Sequence, residues 1–155
     1  TDVCSEVRTW EVGHDSVFAH VWKNVEPWTP EKPRLYNLIV TLRNEEGKAL
    51  HRTSVRVGFR TVDFRPRDGV YLNGTKLVMK GINRHSFHPD GGRTTNKELS
   101  IQDALLIKEM NMNAVRSHYP PDEHFLDACD SLGCSILMNL RAGRMLTTLL
   151  QAASW

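Results

Sequence analysis

Two short stretches concentrate the side chains that could do chemistry. Lys80–Pro89, KGINRHSFHP, places Asn83, Arg84, His85, Ser86 and His88 directly after an apolar run, Lys76–Ile82. Asn113–Pro120, NAVRSHYP, repeats the transition and delivers Arg116, Ser117, His118 and Tyr119. Apolar runs of this length are candidate buried strands. Ionisable residues gathered where strands end are how α/β enzymes build sites. The plainer reading is that these are loop residues satisfying backbone groups. His85-x-x-His88 followed by Asp90 has the residue types of a metal site. Spacing alone is a weak signal there, because a metal site needs further ligands within reach. Glu98, Glu109 and Glu123 fall on or beside helical segments, away from the strand ends.

The elements that must carry these loops alternate. Ser100 can cap a helix, with Asp103 three residues on as an approximate capping box. Ile101, Ala104, Leu105 and Lys108 lie on one side of that helix, and Leu106 and Met110 extend its apolar face. A strand at Asn113–Arg116 comes next. Pro121 suits the first turn of a second helix. Phe125, Leu126, Cys129 and Leu132 form its apolar stripe, and Gly133 suits its C-terminal cap. Ser135–Met138 is a third apolar strand. Strands alternating with helices argue for a parallel sheet with right-handed crossovers. About three strands of a (β/α)₈ barrel are present, and Val62–Trp155 is well short of the roughly 250 residues a barrel takes.

Thr1–Arg60 reads differently. Val17–Trp22 alternates loosely. Leu35–Leu42 puts Tyr36, Leu38, Val40 and Leu42 on one face, and Arg52–Arg60 does the same with Val55, Val57 and Phe59. Such alternation argues for half-buried antiparallel strands. Asn44–Lys48 between them reads as a hairpin connection with Gly47 near its end. Trp28–Pro33, WTPEKP, is a rigid extended segment whose two prolines remove donors. Trp28 and Tyr36 have the makings of a sugar-stacking platform, but their place at a sandwich edge favours interdomain packing. Thr61–Arg67 bridges to the next region. Asp68-Gly69 and Asn73-Gly74 are turn dipeptides around a small hairpin. The expected boundaries are a β-sandwich domain over residues 1–61 and the start of a barrel over residues 62–155.

Composition narrows the classes. The chain has 155 residues, 40% hydrophobic and 25% charged, so it can bury a core. Its 20 basic and 18 acidic residues give a net charge of +2. That balance favours neither nucleic acid nor an anionic membrane as partner. No apolar run approaches the roughly 20 residues of a membrane helix. The chain opens on Thr1 without a basic-then-apolar leader, which reads as a processed start or an excerpt and leaves cytoplasm and periplasm both open. Cys4, Cys129 and Cys134 lack metal-site spacing, and Cys129 on its helical stripe reads as core packing.

The motifs together resemble glycoside hydrolase family 2, the β-galactosidase and β-glucuronidase family. Trp28–Tyr36, WTPEKPRLY, is similar to the family's Trp-Ser/Thr-Pro-Glu-x-Pro-x-Leu-Tyr segment. Val57–Arg60, VGFR, resembles the exit of its immunoglobulin-like domain. Leu72–Gly74 resembles its Leu-Asn-Gly turn, Gly81–His85 its Gly-Val-Asn-Arg-His and Asn113–Pro120 its Asn-Ala-Val-Arg-x-Ser-His-Tyr-Pro. Cys129-Asp130 is similar to the family's next Cys-Asp pair. The ordered set runs from about Val17 to about Leu137, and Asn-Arg-His with Ser-His-Tyr-Pro leans towards the β-galactosidase branch. The resemblance implies an immunoglobulin-like β-sandwich followed by the first βα units of a TIM (β/α)₈ barrel, incomplete here.

By the same resemblance, His85 and His118 contact the sugar and stabilise the transition state. Arg116 hydrogen-bonds the nucleophilic carboxylate, a task its fixed fork suits. Asn83 and Arg84 brace their loop. Retaining hydrolysis needs an acid/base and a nucleophile about 5–5.5 Å apart. The family carries both glutamates on later strands, so no catalytic carboxylate and no metal ligand is assigned in this chain. The parent enzyme is expected to act on terminal β-D-galactosides, to use a divalent metal (Mg) and to assemble as a homo-oligomer. The rival readings are a β-glucuronidase or β-mannosidase fragment, or a non-catalytic carbohydrate-binding sandwich module.

Two places depart from the family pattern. Arg116 and Ser117 are adjacent where the family has a residue between them, and a one-residue deletion at a strand end would re-aim the side chains after it. Met138-Asn139-Leu140 stands where an acidic pair, often Asp-Glu, is expected, and Arg141–Trp155 no longer resembles the family. A frame slip or artificial end is the expected cause. Another reading frame of the encoding DNA should then restore the acidic pair after Leu137; if no frame does, the slip did not occur.

Overall fold

A computed structural model describes residues 21–138. Expectations for Cys4, for most of Val17–Trp22, for Asn139-Leu140 and for the tail 141–155 fall outside these residues. Among the described residues no helix is long and apolar enough to cross a membrane.

Strands β1 (Tyr36–Arg43) and β2 (Ala49–Val57) form an antiparallel ribbon. The Asn44–Lys48 connection is the expected hairpin. Gly47 takes φ 81°, and its carbonyl accepts from Arg43 Nη1 at 2.8 Å. Register puts Tyr36 opposite Val57 and Leu38 opposite Val55, so the apolar residues do share a face. That face is not half-buried as expected. Leu38, Val40, Leu42 and Val55 are all exposed, because among the described residues no second sheet packs on the ribbon.

Residues 61–67 are more than a bridge. Strands β3 (Val62–Arg65), β4 (Gly69–Leu72) and β5 (Thr75–Lys76) make a three-stranded antiparallel meander. Asn73 and Gly74 turn the last pair with φ 50° and 79°, both in the left-handed region that Asn-Gly tolerates. The apolar run Lys76–Ile82 is not one strand either. Leu77 N–H bonds to Val70 O, and strand β6 begins only at Gly81 (Gly81–Arg84). The Asn113 side chain explains the late start. Its Nδ2 donates to Val78 O at 3.0 Å and its Oδ1 accepts from Lys80 N at 2.8 Å, so an amide side chain takes the place of a neighbouring strand.

From Gly81 onward the chain alternates as expected. Helix α1 (Lys97–Glu109), strand β7 (Ala114–Ser117), helix α2 (Glu123–Leu132) and strand β8 (Ser135–Met138) come after β6. The three strands pair in parallel in the order β6-β7-β8. Both helix starts differ from expectation. Asn96, not Ser100, caps α1, accepting Leu99 N at 2.9 Å, while Ser100 is buried inside the helix. Asp103 is free of any capping role because it pairs with Arg84. Pro121 precedes the α2 cap, Asp122, rather than opening the helix. Gly133 caps α2 as expected, with φ 77°.

The core lies between sheet and helices. Ala104, Ile107, Val115, Phe125, Ala128, Cys129 and Cys134 form it, with Ile82, Met112, Leu132 and Ile136 packed at its border. The buried side of α1 is Ser100, Ala104 and Ile107; Ile101, Leu105, Leu106 and Met110 are exposed instead. Small residues at that contact let the helix approach its neighbours closely, which larger side chains would prevent. Cys129 is buried as expected, and a hydrogen bond to Cys134 together with burial pushes its thiol far up, which makes it inert.

Trp28 joins the segment before the ribbon to the helical unit. It is fully buried and its Nε1 donates to Asp130 O of α2 at 2.8 Å. Its carbonyl accepts from Asn73 Nδ2, and Arg60 lies over its ring at 4.7 Å. Lys108 Nζ donates to Pro30 O at 2.7 Å. A Cβ on Gly133 would collide with the Pro30 carbonyl, so close approach demands glycine there as well as φ. Arg56 of β2 reaches Asp127 at 3.2 Å and Ser131 Oγ at 2.9 Å.

Asp130 sits in this joint. Burial pushes its carboxyl up to about 6, with Arg60 pulling the other way. A carboxyl raised in the folded state adds stability below its unfolded pKa and loses it as pH rises through the folded value. Urea unfolding should therefore show a decline between about pH 4 and pH 7 that Asp130→Asn reduces by about 1–3 kcal/mol. Equal pH slopes in both proteins would exclude this origin.

Candidate active site

Parallel strands deliver successive side chains to opposite faces. The helices cover one face, so Arg84, Val115 and Ser117 are buried there. Asn83 and Arg116, directly opposite each other in register, stand on the other face. Arg116 is exposed, and its Nη1 donates to Asn83 Oδ1 at 3.2 Å.

One main-chain bond past the ladder brings the histidines together. His118 N donates to Arg84 O at 3.3 Å. The next side chain after β6 is His85, and the rings of His85 and His118 stack with centroids 4.8 Å apart and planes at 29°. Tyr119 meets both edge-on, 4.8 Å from His118 and 5.8 Å from His85. The adjacency of Arg116 and Ser117 therefore leaves His118 against His85. Strand β7 stays regular, and the buried Ser117 hydroxyl donates to Tyr119 O.

The three residues singled out from sequence, His85, Arg116 and His118, all lie at the ends of β6 and β7. Arg84 braces the loop as expected, donating to Ser86 Oγ at 3.2 Å. From sequence, Tyr119 belongs to the polar cluster without a role and Arg93 does not stand out; both lie against the histidine pair or its neighbour. Arg93 lies over the Tyr119 ring at 4.1 Å. The Gly91-Gly92 pair before it was the available signal, since glycines there allow the tight return that carries Arg93 back to the strand ends. His88 turns to its own loop, its Nδ1 accepting from Asp90 N at 3.3 Å.

Chemically, the cluster offers imidazoles, a phenol, an amide and guanidinium groups. Together they can hydrogen-bond hydroxyls and hold an anion in place. They include no carboxylate. Glu98 and Glu123 open the two helices and Glu109 closes α1, all three exposed. Among the described residues no three His, Cys, Asp or Glu side chains gather as a metal site requires. A divalent ion thus has no donor set among the described residues.

Comparison with known proteins assigns a family. Residues 65–144 match the sequence profile of the TIM barrel domain of glycosyl hydrolases family 2, and residues 4–60 match a second profile of glycosyl hydrolases family 2. The β-galactosidase BgaC of Bifidobacterium adolescentis is 37% identical over 116 residues, 74% of this chain and 11% of its own. A β-galactosidase of Vibrio vulnificus is 41% identical over 131 residues, 83% of this chain and 12% of its own. The chain thus spans about a tenth of the length of these curated relatives. Among solved structures, β-glucuronidase 3 of Bacteroides uniformis is similar with a TM-score of 0.67 and 33% identity, covering 76% of this chain and 15% of that one. A β-galacturonidase of Eisenbergiella tayi reaches 0.70 and 39%, covering 76% and 21%. With strand ends of this make-up and a barrel-domain profile over more than half its length, the chain belongs to glycosyl hydrolase family 2.

Proposed function

We propose that this chain is part of a retaining glycosidase acting on terminal β-D-galactosides. The observation that carries the reading is the stacked His85–His118 pair at the ends of adjacent parallel strands. In a barrel, that end is where substrate binds. The imidazoles hydrogen-bond sugar hydroxyls, and such bonds help most when they strengthen in the transition state. Arg116 is exposed on the same face and donates to the nucleophilic carboxylate, keeping it ionised and aimed. Asn83 Oδ1 accepts from Arg116 Nη1 and steadies it.

The acid/base and the nucleophile come from other parts of the whole enzyme, as do the ligands of its divalent ion and its homo-oligomer contacts. The proposed division is an immunoglobulin-like domain over residues 1–61 and the start of the barrel from residue 62. A second sugar class is favoured by the solved relatives, which include β-glucuronidases and a β-galacturonidase. A uronate differs from a galactoside by a carboxylate, which a basic group must meet.

Chromogenic substrates test the reading. The 155-residue chain is expected to hydrolyse neither a β-galactoside nor a β-glucuronide. A longer polypeptide that supplies both glutamates should prefer the galactoside, and His118→Ala or His85→Ala should lower its kcat/KM by about 10²-fold. Preference for the glucuronide would replace the substrate class. Unchanged kcat/KM in both variants, or sugar binding by residues 1–60 alone, would favour a non-catalytic module.

A further inference from the structure

The loop between β6 and α1 is closed on itself and then pinned. His88 and Gly92 exchange two backbone hydrogen bonds of 2.7 and 2.8 Å, and Gly92 takes φ 58°. Two residues after Arg93, the buried Thr95 donates to Asp122 Oδ2 at 2.7 Å, tying the loop to the start of α2. Asn96 then caps α1. Arg93 is thus held between two fixed points, with its guanidinium 4.1 Å over the Tyr119 ring. Among the described residues no carboxylate pairs with it within ion-pair distance, so its partner is the aromatic face.

We infer that Arg93 is a positioning residue for the histidine pair, acting through Tyr119. The inference rests on the reading of His85 and His118 as sugar contacts. Tyr119 is partly exposed and lies two residues past the end of the ladder, so the strand alone does not fix its ring. A cation over one face of the ring selects its plane, because a guanidinium is attracted to the negative face. The ring's remaining contacts are then edge-on to both imidazoles, an arrangement aromatic pairs favour. The planar fork of arginine also stacks flat, which a lysine ammonium does not. Arg93 therefore orients the two imidazoles through the Tyr119 ring. Orientation matters at this scale, since a displacement of about 1 Å at a site can cost about 10²-fold in rate.

The test is spectroscopic and uses the 155-residue chain. Ring protons of His85 and His118 should be shifted upfield by the stack and show nuclear Overhauser contacts to Tyr119. Arg93→Ala and Arg93→Gln should move both histidines towards free-imidazole positions and remove those contacts, with Val115 and Phe125 signals unchanged. Arg93→Lys should restore the shifts in part. Unchanged histidine signals in the Ala and Gln variants would overturn the inference, as would full equivalence of Lys and Ala. Should Arg93→Ala disturb the core signals, the Gln and Lys variants decide by the same readout. Turnover is not involved, so failure here leaves the sugar-site reading standing, and that reading falls only to the kcat/KM test on His85 and His118.

Discussion

The Arg84 guanidinium is the contact on which the rest depends. Its side chain is 6% exposed, and a charge buried to that degree is tolerable only when paired and hydrogen-bonded. Its Nε donates to Asp103 Oδ2 at 2.8 Å, its Nη2 lies at the same distance as an ion pair without hydrogen-bond geometry, its Nη1 donates to Ser86 Oγ, and its Cζ lies 3.9 Å from the Phe125 ring centroid. One side chain at the end of β6 thereby ties the strand to α1, to α2 and to the loop above. Its carbonyl, meanwhile, accepts His118 N. The same residue fixes both the packing below the sheet and the meeting of the two histidines above it.

That arrangement separates two jobs by strand periodicity. Side chains pointing to the helices build the core: Ile82, Arg84, Val115 and Ile136. Their neighbours Asn83 and Arg116 are left on the open face, with His85 and His118 next at the edge. The Trp28 joint supports the same unit, holding the C-terminal end of α2 through Asp130 and Gly133. The chain can therefore place His85 and His118 just past its strand ends without leaving their direction to the loops, because each loop leaves a strand whose end is locked.

Much of this was legible in the sequence where local chemistry decides. Gly133 had to take a left-handed cap, Asn73-Gly74 had to turn, and Phe125 with Cys129 had to face inward. The meeting of His85, Arg116 and His118 was legible because two apolar runs end in polar residues and adjacent parallel strands bring such ends together. What escaped was decided by distant partners. Ser100 and Asn96 are both able caps, and the choice comes from Asp103 being drawn to Arg84, 19 residues away. The strand at Gly81 starts late because of Asn113, a side chain 33 residues from the Lys80 amide it engages. The exposed apolar ribbon and the reach of Arg93 depend likewise on what packs where, which no periodicity records.

A double-mutant cycle between Arg84 and Asp103 tests the central claim most directly, with stability read from urea unfolding of Arg84→Met, Asp103→Leu and the double variant. If the pair is the lock, Asp103→Leu alone strands a buried guanidinium and costs about 3–5 kcal/mol. The double variant should then recover at least about 1.5 kcal/mol relative to the sum of the single changes. Costs that add to within about 0.5 kcal/mol would contradict the account, because the two groups would then not depend on each other.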